Sequence, residues 1–185
     1  MNLCSYELDR DLRLVSVDEG WTRFAIENEA PELQPPAVIG TPVIDSMSDP
    51  TTKLIYRELF NRTSARSVPI TFWIRCDSPR LRRMLELTIV PLEDGGFRID
   101  SVLQRVDPNP GGELLEKHWP RDPSALLRSC SWCKKVNVNN RWYEVEQAVP
   151  LLRLFERRQA PLMTHGMCTE CHQRMRALLD EEERP

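Results

Sequence analysis

No apolar run in this 185-residue sequence approaches the roughly 20 residues that a membrane-spanning helix requires, so no such span is expected. Residues 1–13 are charged every few positions and lack the apolar centre of a signal peptide. The expected compartment is therefore the cytoplasm, where thiols stay reduced. Histidine is scarce: there are three, and the first is His118. That argues against a haem held by a proximal imidazole anywhere before it. Glycine is also sparse, at seven residues, and forms neither a phosphate-cradling loop nor a nucleophile elbow. His118 has no evident nucleophile beside it, so no enzyme activity is expected. The net charge of −3 favours no polyanionic partner by itself.

Apolar residues make up 41% of the chain and charged residues 29%, enough for a packed core under a solvated surface. The charge is uneven: residues 1–107 hold 13 basic and 17 acidic groups, whereas 128–176 hold 9 basic and 4 acidic. The stretch Asp107-Pro-Asn-Pro-Gly-Gly112 interrupts regular structure, because proline removes backbone donors and glycine adds freedom. It divides the chain into a first domain (1–107), a linker (108–127) with a short helix over 113–119, a C-terminal module (128–180) and an acidic tail (181–185).

In the first domain, residues 6–8 and 12–17 read as two strands joined by a charged turn. Asp18 is placed to cap a helix starting at Glu19, with Trp21, Phe24 and Ala25 on one face. A second helix over 51–62 turns Leu54, Ile55 and Leu59 inward. Three strand-like runs follow at 68–76, 83–92 and 97–106. In the first of these, Val68, Ile70, Phe72, Ile74 and Cys76 alternate with Pro69, Thr71, Trp73 and Arg75. The expected class is α+β, with one antiparallel five-stranded sheet carrying its helices on one face.

Three pieces of this region resemble the PAS family of sensor domains. They are Tyr6-Glu-Leu-Asp-Arg-Asp-Leu-Arg-Leu-Val15, then Trp21-Thr-Arg-Phe-Ala25 ending in Asn28, then Val38-Ile-Gly-Thr-Pro-Val-Ile-Asp45. The resemblance covers residues 4–107 and implies a domain that binds a partner, itself or a small molecule. Trp21, Phe24, Phe72 and Ile74 would line such a ligand pocket, against the alternative of a filled core. The helix over 51–62 has no cysteine, which argues against flavin-adduct photochemistry. Arg75, Arg80, Arg82 and Arg83 cluster near one strand end, where they would bind an anion or acidic partner, or simply charge a sheet edge.

Two C-x-x-C pairs, Cys130-Ser-Trp-Cys133 and Cys168-Thr-Glu-Cys171, are separated by 34 residues. A two-residue spacer lets one turn aim both sulfurs at one ion, and two such turns complete the tetrahedral shell that zinc prefers. Four thiolates leave no open position, so the implied zinc is structural. The gap must hold structure of its own. Residues 136–138 and 141–143 read as a hairpin around Asn139-Asn140. Residues 144–158 are helical in pattern, with Pro150 kinking or restarting the helix. A last helix covers 169–179, with Met175, Leu178 and Leu179 on one face. His165 is expected to orient a ligand sulfur or cap the loop. Lys134, Lys135 and Arg174 would offset the charge of the thiolates. Residues 130–171 also resemble a cysteine-rich segment attached to PAS-containing bacterial signalling proteins, through Cys130-Ser-Trp-Cys-Lys-Lys-Val136, Arg141-Trp-Tyr-Glu-Val-Glu146 and Thr164-His-Gly-Met-Cys-Thr-Glu-Cys171.

The resulting expectation is a bacterial cytoplasmic sensor or adaptor acting through protein–protein contact or self-association, with a small-molecule ligand as a further option. Two alternatives accompany it. One is a nucleic-acid-binding regulator using the basic module, with Trp132 or Trp142 as stacking groups. The other is a thiol redox sensor that loses its metal on oxidation.

Overall fold

The computed structural model describes residues 2–110 and 119–181. Most of the helix expected over 113–119, and the tail beyond 181, lie outside the described residues. The chain forms two compact units.

The first unit is built on a five-stranded antiparallel sheet in the order β2-β1-β5-β4-β3. Its strands are β1 (Asn2–Leu8), β2 (Leu14–Val17), β3 (Ile70–Arg75), β4 (Leu81–Pro91) and β5 (Phe97–Pro108). β4 alternates strictly between buried and half-exposed positions, so one sheet face is covered. The helices that cover it are α1 (Glu19–Glu27) and α2 (Pro50–Arg66). Asp18 caps α1 as expected, accepting the Trp21 N–H at 2.8 Å. Phe60 of α2 packs at a tilt against Phe97 of β5 with ring centroids 4.9 Å apart, over a core that includes Leu8, Leu14, Ile55, Leu59 and Ile89.

Two inward positions are corrected. Leu54 is 55% exposed, and Val68 lies before β3 at 49% exposed. The buried stripe of α2 runs instead through Ile55, Leu59, Phe60 and Thr63, the i, i+4 and i+8 positions together with their neighbour at i+5.

Close backbone approach fixes two glycines. A Cβ on Gly96 would sit 2.4 Å from the Leu8 carbonyl oxygen, and one on Gly20 2.4 Å from that of Leu3. Because backbone cannot yield as a side-chain tip does, Gly96→Ala is expected to destabilise the first unit by about 1–3 kcal/mol, the usual cost of overpacking. Denaturant unfolding checks this; an unchanged midpoint would contradict it.

The second unit carries a four-stranded sheet in the order β8-β7-β6-β9. It comprises β6 (Arg121–Cys130), β7 (Val136–Val138), β8 (Arg141–Tyr143) and β9 (Ala160–Gly166), with helices α3 (Val145–Leu151) and α4 (Thr169–Glu181). Residues 121–127, expected as linker, are strand. β9 also falls where a loop was expected. It pairs parallel to β6, from Leu126↔Leu162 to Cys130↔Gly166. A register shift between Asp122 and Leu126 absorbs Pro123, and β9 is an edge strand, where Pro161 costs no ladder bond.

The β7–β8 hairpin turns through Asn139 and Asn140, with φ of 50° and 64°. Both values lie in the left-handed region that a two-residue hairpin turn requires. Asn140→Val should therefore cost about 1–2 kcal/mol, whereas Asn140→Gly should be neutral or stabilising. Thermal melts of the two variants distinguish these outcomes. Behind the hairpin, Leu127, Val136, Val138, Ala148, Val149 and Leu154 form the unit's core. Two segments from earlier in the chain, 48–52 and 75–83, also belong to this unit.

Candidate metal centre

The parallel pairing of β6 and β9 is what brings the two C-x-x-C turns together. Parallel neighbours end at the same edge of a sheet. Cys130 is the last residue of β6, opposite Gly166, the last of β9. Each strand therefore leads into its turn at one place. The ladder continues past the strand ends, where the Ser131 N–H donates to the Gly166 carbonyl at 2.8 Å.

The first turn is closed by the Lys134 N–H donating to the Cys130 carbonyl at 3.0 Å and the Cys130 N–H donating to the Lys135 carbonyl at 2.8 Å. Lys134 adopts φ 61° to make the reversal. Between the two cysteines, Trp132 is buried at 1% exposure and anchors the turn to the unit's interior. The second pair opens α4. The Cys171 N–H donates to Cys168 Sγ at 3.4 Å, so a sulfur takes the place of the usual N-cap oxygen. Cys171, Met175 and Leu179 lie at i, i+4 and i+8, all buried, and tie α4 to the unit.

The Sγ atoms of Cys130, Cys133, Cys168 and Cys171 all lie within 4.8 Å of one another. Cys133 Sγ and Cys168 Sγ are 3.7 Å apart. All six cysteines are free thiols. The donors around the cluster suit anionic sulfur: the Cys168 N–H reaches Cys130 Sγ at 3.3 Å, and Arg174 Nη2 lies 3.8 Å from Cys171 Sγ. Lys135 pairs with Glu170 at 2.8 Å, joining the two turns. Hydrogen bonds from Cys133 and Cys171 hold the Cys130 thiol far below its ordinary range. The hydrogen bond with Cys130 in turn pushes Cys133 up to about 12 and Cys171 higher still. One thiolate thus suppresses the ionisation of its neighbours, and a cation is what allows all four to deprotonate together. Four soft donors, three of them shielded from water, fit a four-coordinate metal ion.

The other expected site residues fall elsewhere. His165 is exposed on β9, and its Nδ1 meets the Ser48 hydroxyl at 3.4 Å. The hydrogen bonds to sulfur described above come from backbone N–H groups and Arg174. The four arginines differ in burial and in pairing. Arg75 is buried, donating from Nη1 to Glu144 at 2.8 Å and paired through Nη2 and Nε with Asp77. Arg82 pairs with Glu146 at 2.9 Å, and Arg83 is buried. Arg80 alone of the four is exposed. Trp21 packs edge-on against Tyr6 at 5.1 Å, and its Nε1 donates to the Leu33 carbonyl. Phe72 is buried against Tyr56 at 6.0 Å; Phe24 and Ile74 are half-buried.

Sequence reasoning missed the polar frame of the centre. Asp49 caps α2 by accepting the Thr52 N–H at 2.7 Å, and Thr52 Oγ1 lies 3.1 Å from Ser131 Oγ inside the first C-x-x-C. The Arg75 N–H donates to the Trp132 carbonyl at 2.8 Å. An Asp-Pro-Thr-Thr start to a helix was a readable capping signal; its partner on the cysteine turn was not. No protein-family model and no curated protein matches this chain.

Proposed function

We propose that the four cysteines hold one structural zinc ion and that the chain is a bacterial cytoplasmic signalling sensor or adaptor working through protein contacts. The observation that carries the metal assignment is the convergence of four sulfurs at the ends of two parallel strands. Zinc suits an all-thiolate tetrahedral set without redox chemistry of its own. Cys130, Cys133, Cys168 and Cys171 would each supply one thiolate, closing the coordination shell. The ion would then tie the two turns to each other through their four sulfurs.

The adaptor reading is supported by the first unit. Its five-stranded antiparallel sheet, covered by α1 and α2, has the layout implied by the PAS resemblance. The nucleic-acid alternative loses a stacking group, since Trp132 is buried. Trp142 is half-buried, with the Arg128 guanidinium 5.9 Å from its ring centre.

Native mass spectrometry of purified protein, with identification of co-purifying chains, tests the proposal. A zinc-bound species that self-associates or carries a partner is expected. A strictly monomeric chain with no partner and no ligand contradicts the adaptor reading, and one without metal contradicts the zinc assignment.

A further inference from the structure

The four sulfurs are not equally protected. Cys130, Cys168 and Cys171 are 0%, 1% and 2% exposed, whereas Cys133 is half-buried at the end of the first turn. Its sulfur also lies 3.7 Å from that of Cys168 on the opposite turn. We propose that Cys133 is the oxidation site of this centre: it takes oxygen from a hydroperoxide, then closes a disulfide to Cys168 and opens the coordination shell. The inference rests on the metal-centre reading above.

The chemistry is complete with the hydroperoxide as oxidant. The Cys133 thiolate attacks the peroxide; an S–O bond forms, the O–O bond breaks, and the displaced oxygen leaves as water or an alcohol after taking a proton. The Cys168 thiolate then attacks the Cys133 sulfur. An S–S bond forms, the S–O bond breaks, and hydroxide leaves as water after protonation. Two thiolates have lost two electrons in total, and the peroxide has gained them. Two sulfurs leave the donor set, and the two that remain no longer make a tetrahedral site.

Competing thiols are less suited. Cys4 is buried in β1. Cys76 is half-buried and is no metal ligand; burial pushes its thiol above the ordinary range, so it stays protonated, whereas a bound cation would hold Cys133 as its thiolate. The centre would therefore respond to peroxide before the remaining cysteines, and a dithiol reductant with zinc would restore it.

The test uses zinc-loaded full-length protein exposed to hydrogen peroxide. Zinc release is followed with a chromophoric chelator, and samples are alkylated at intervals for peptide mass mapping. Cys133 should be the first sulfur to gain oxygen, and a Cys133–Cys168 disulfide should appear in step with zinc release. Cys76→Ser should release zinc at the wild-type rate. Oxidation beginning at Cys76 or Cys130, zinc leaving with all four thiols reduced, or zinc retained after the disulfide forms would each overturn the proposal. A purified protein that binds no zinc even when supplied with it overturns the metal-centre reading itself.

Discussion

Stripping zinc with a strong chelator, or replacing one ligand by Cys130→Ser or Cys168→Ser, should unfold the second unit while the first keeps its own transition. Structural zinc sites of this kind contribute about 10–16 kcal/mol in small domains, more than the usual stability of such a unit. The cluster of Leu127, Val136, Val138, Ala148, Val149 and Leu154 includes neither cysteine turn; the turns meet at the four sulfurs, at the Lys135–Glu170 pair and along the β6–β9 ladder. Trp132 gives the signal, because it is buried between two ligands and should become exposed, shifting its fluorescence to the red. The first unit's core of Leu8, Leu14, Ile55, Leu59 and Ile89 contains no ligand and should melt where it did before. Acid should act in the same direction. Metal binding displaces thiol protons, among them that of Cys133 held near 12, so affinity falls as pH falls and the stabilisation is lost on the acid side. Melting curves superimposable with and without chelator would contradict this.

The second large effect is expected at Arg75. Its guanidinium binds Asp77 and Glu144, and the Asp77 side chain is 3% exposed. Arg75→Leu leaves that carboxylate buried without this cation, which typically costs about 3–5 kcal/mol. The double variant Arg75→Leu/Asp77→Leu should recover most of the loss, because it removes the stranded charge together with its partner. Arg75→Lys should not recover it, since an ammonium cannot reproduce a fork that serves two carboxylates. Equilibrium unfolding in denaturant reads all three. A loss below about 1 kcal/mol in the single variant, typical of exposed pairs, would show that the cluster is solvated.

Arg75 also marks where sequence reading stopped. Four arginines within nine residues look like an anion site when their partners are unknown. Two of those partners, Glu144 and Glu146, come from 69 and 64 residues away, and nothing in the local pattern announces them. Elements with a local code were legible. Asp18 before a helical repeat, two asparagines in a tight hairpin, and alternation along β4 each carry their structure in adjacent residues. The four-cysteine set was legible for a chemical reason: two-residue spacing is what one ion demands of a turn. The strands that position it were not. β6 contains Pro123 and β9 contains Pro161, both of which read as loop. Their parallel pairing depends on a crossover of nearly 30 residues that no short window can show. His165, expected to orient a sulfur or cap the loop, lies on β9, where its Nδ1 is 3.4 Å from the Ser48 hydroxyl, a neighbour more than a hundred residues away that no local pattern announces.

X-ray absorption at the zinc edge on purified full-length protein tests the central claim most directly. The account predicts one zinc per chain with four sulfur neighbours at about 2.3 Å and no nitrogen or oxygen in the shell. A shell containing a histidine nitrogen or water, a sulfur count below four, or protein that takes up no zinc would contradict it.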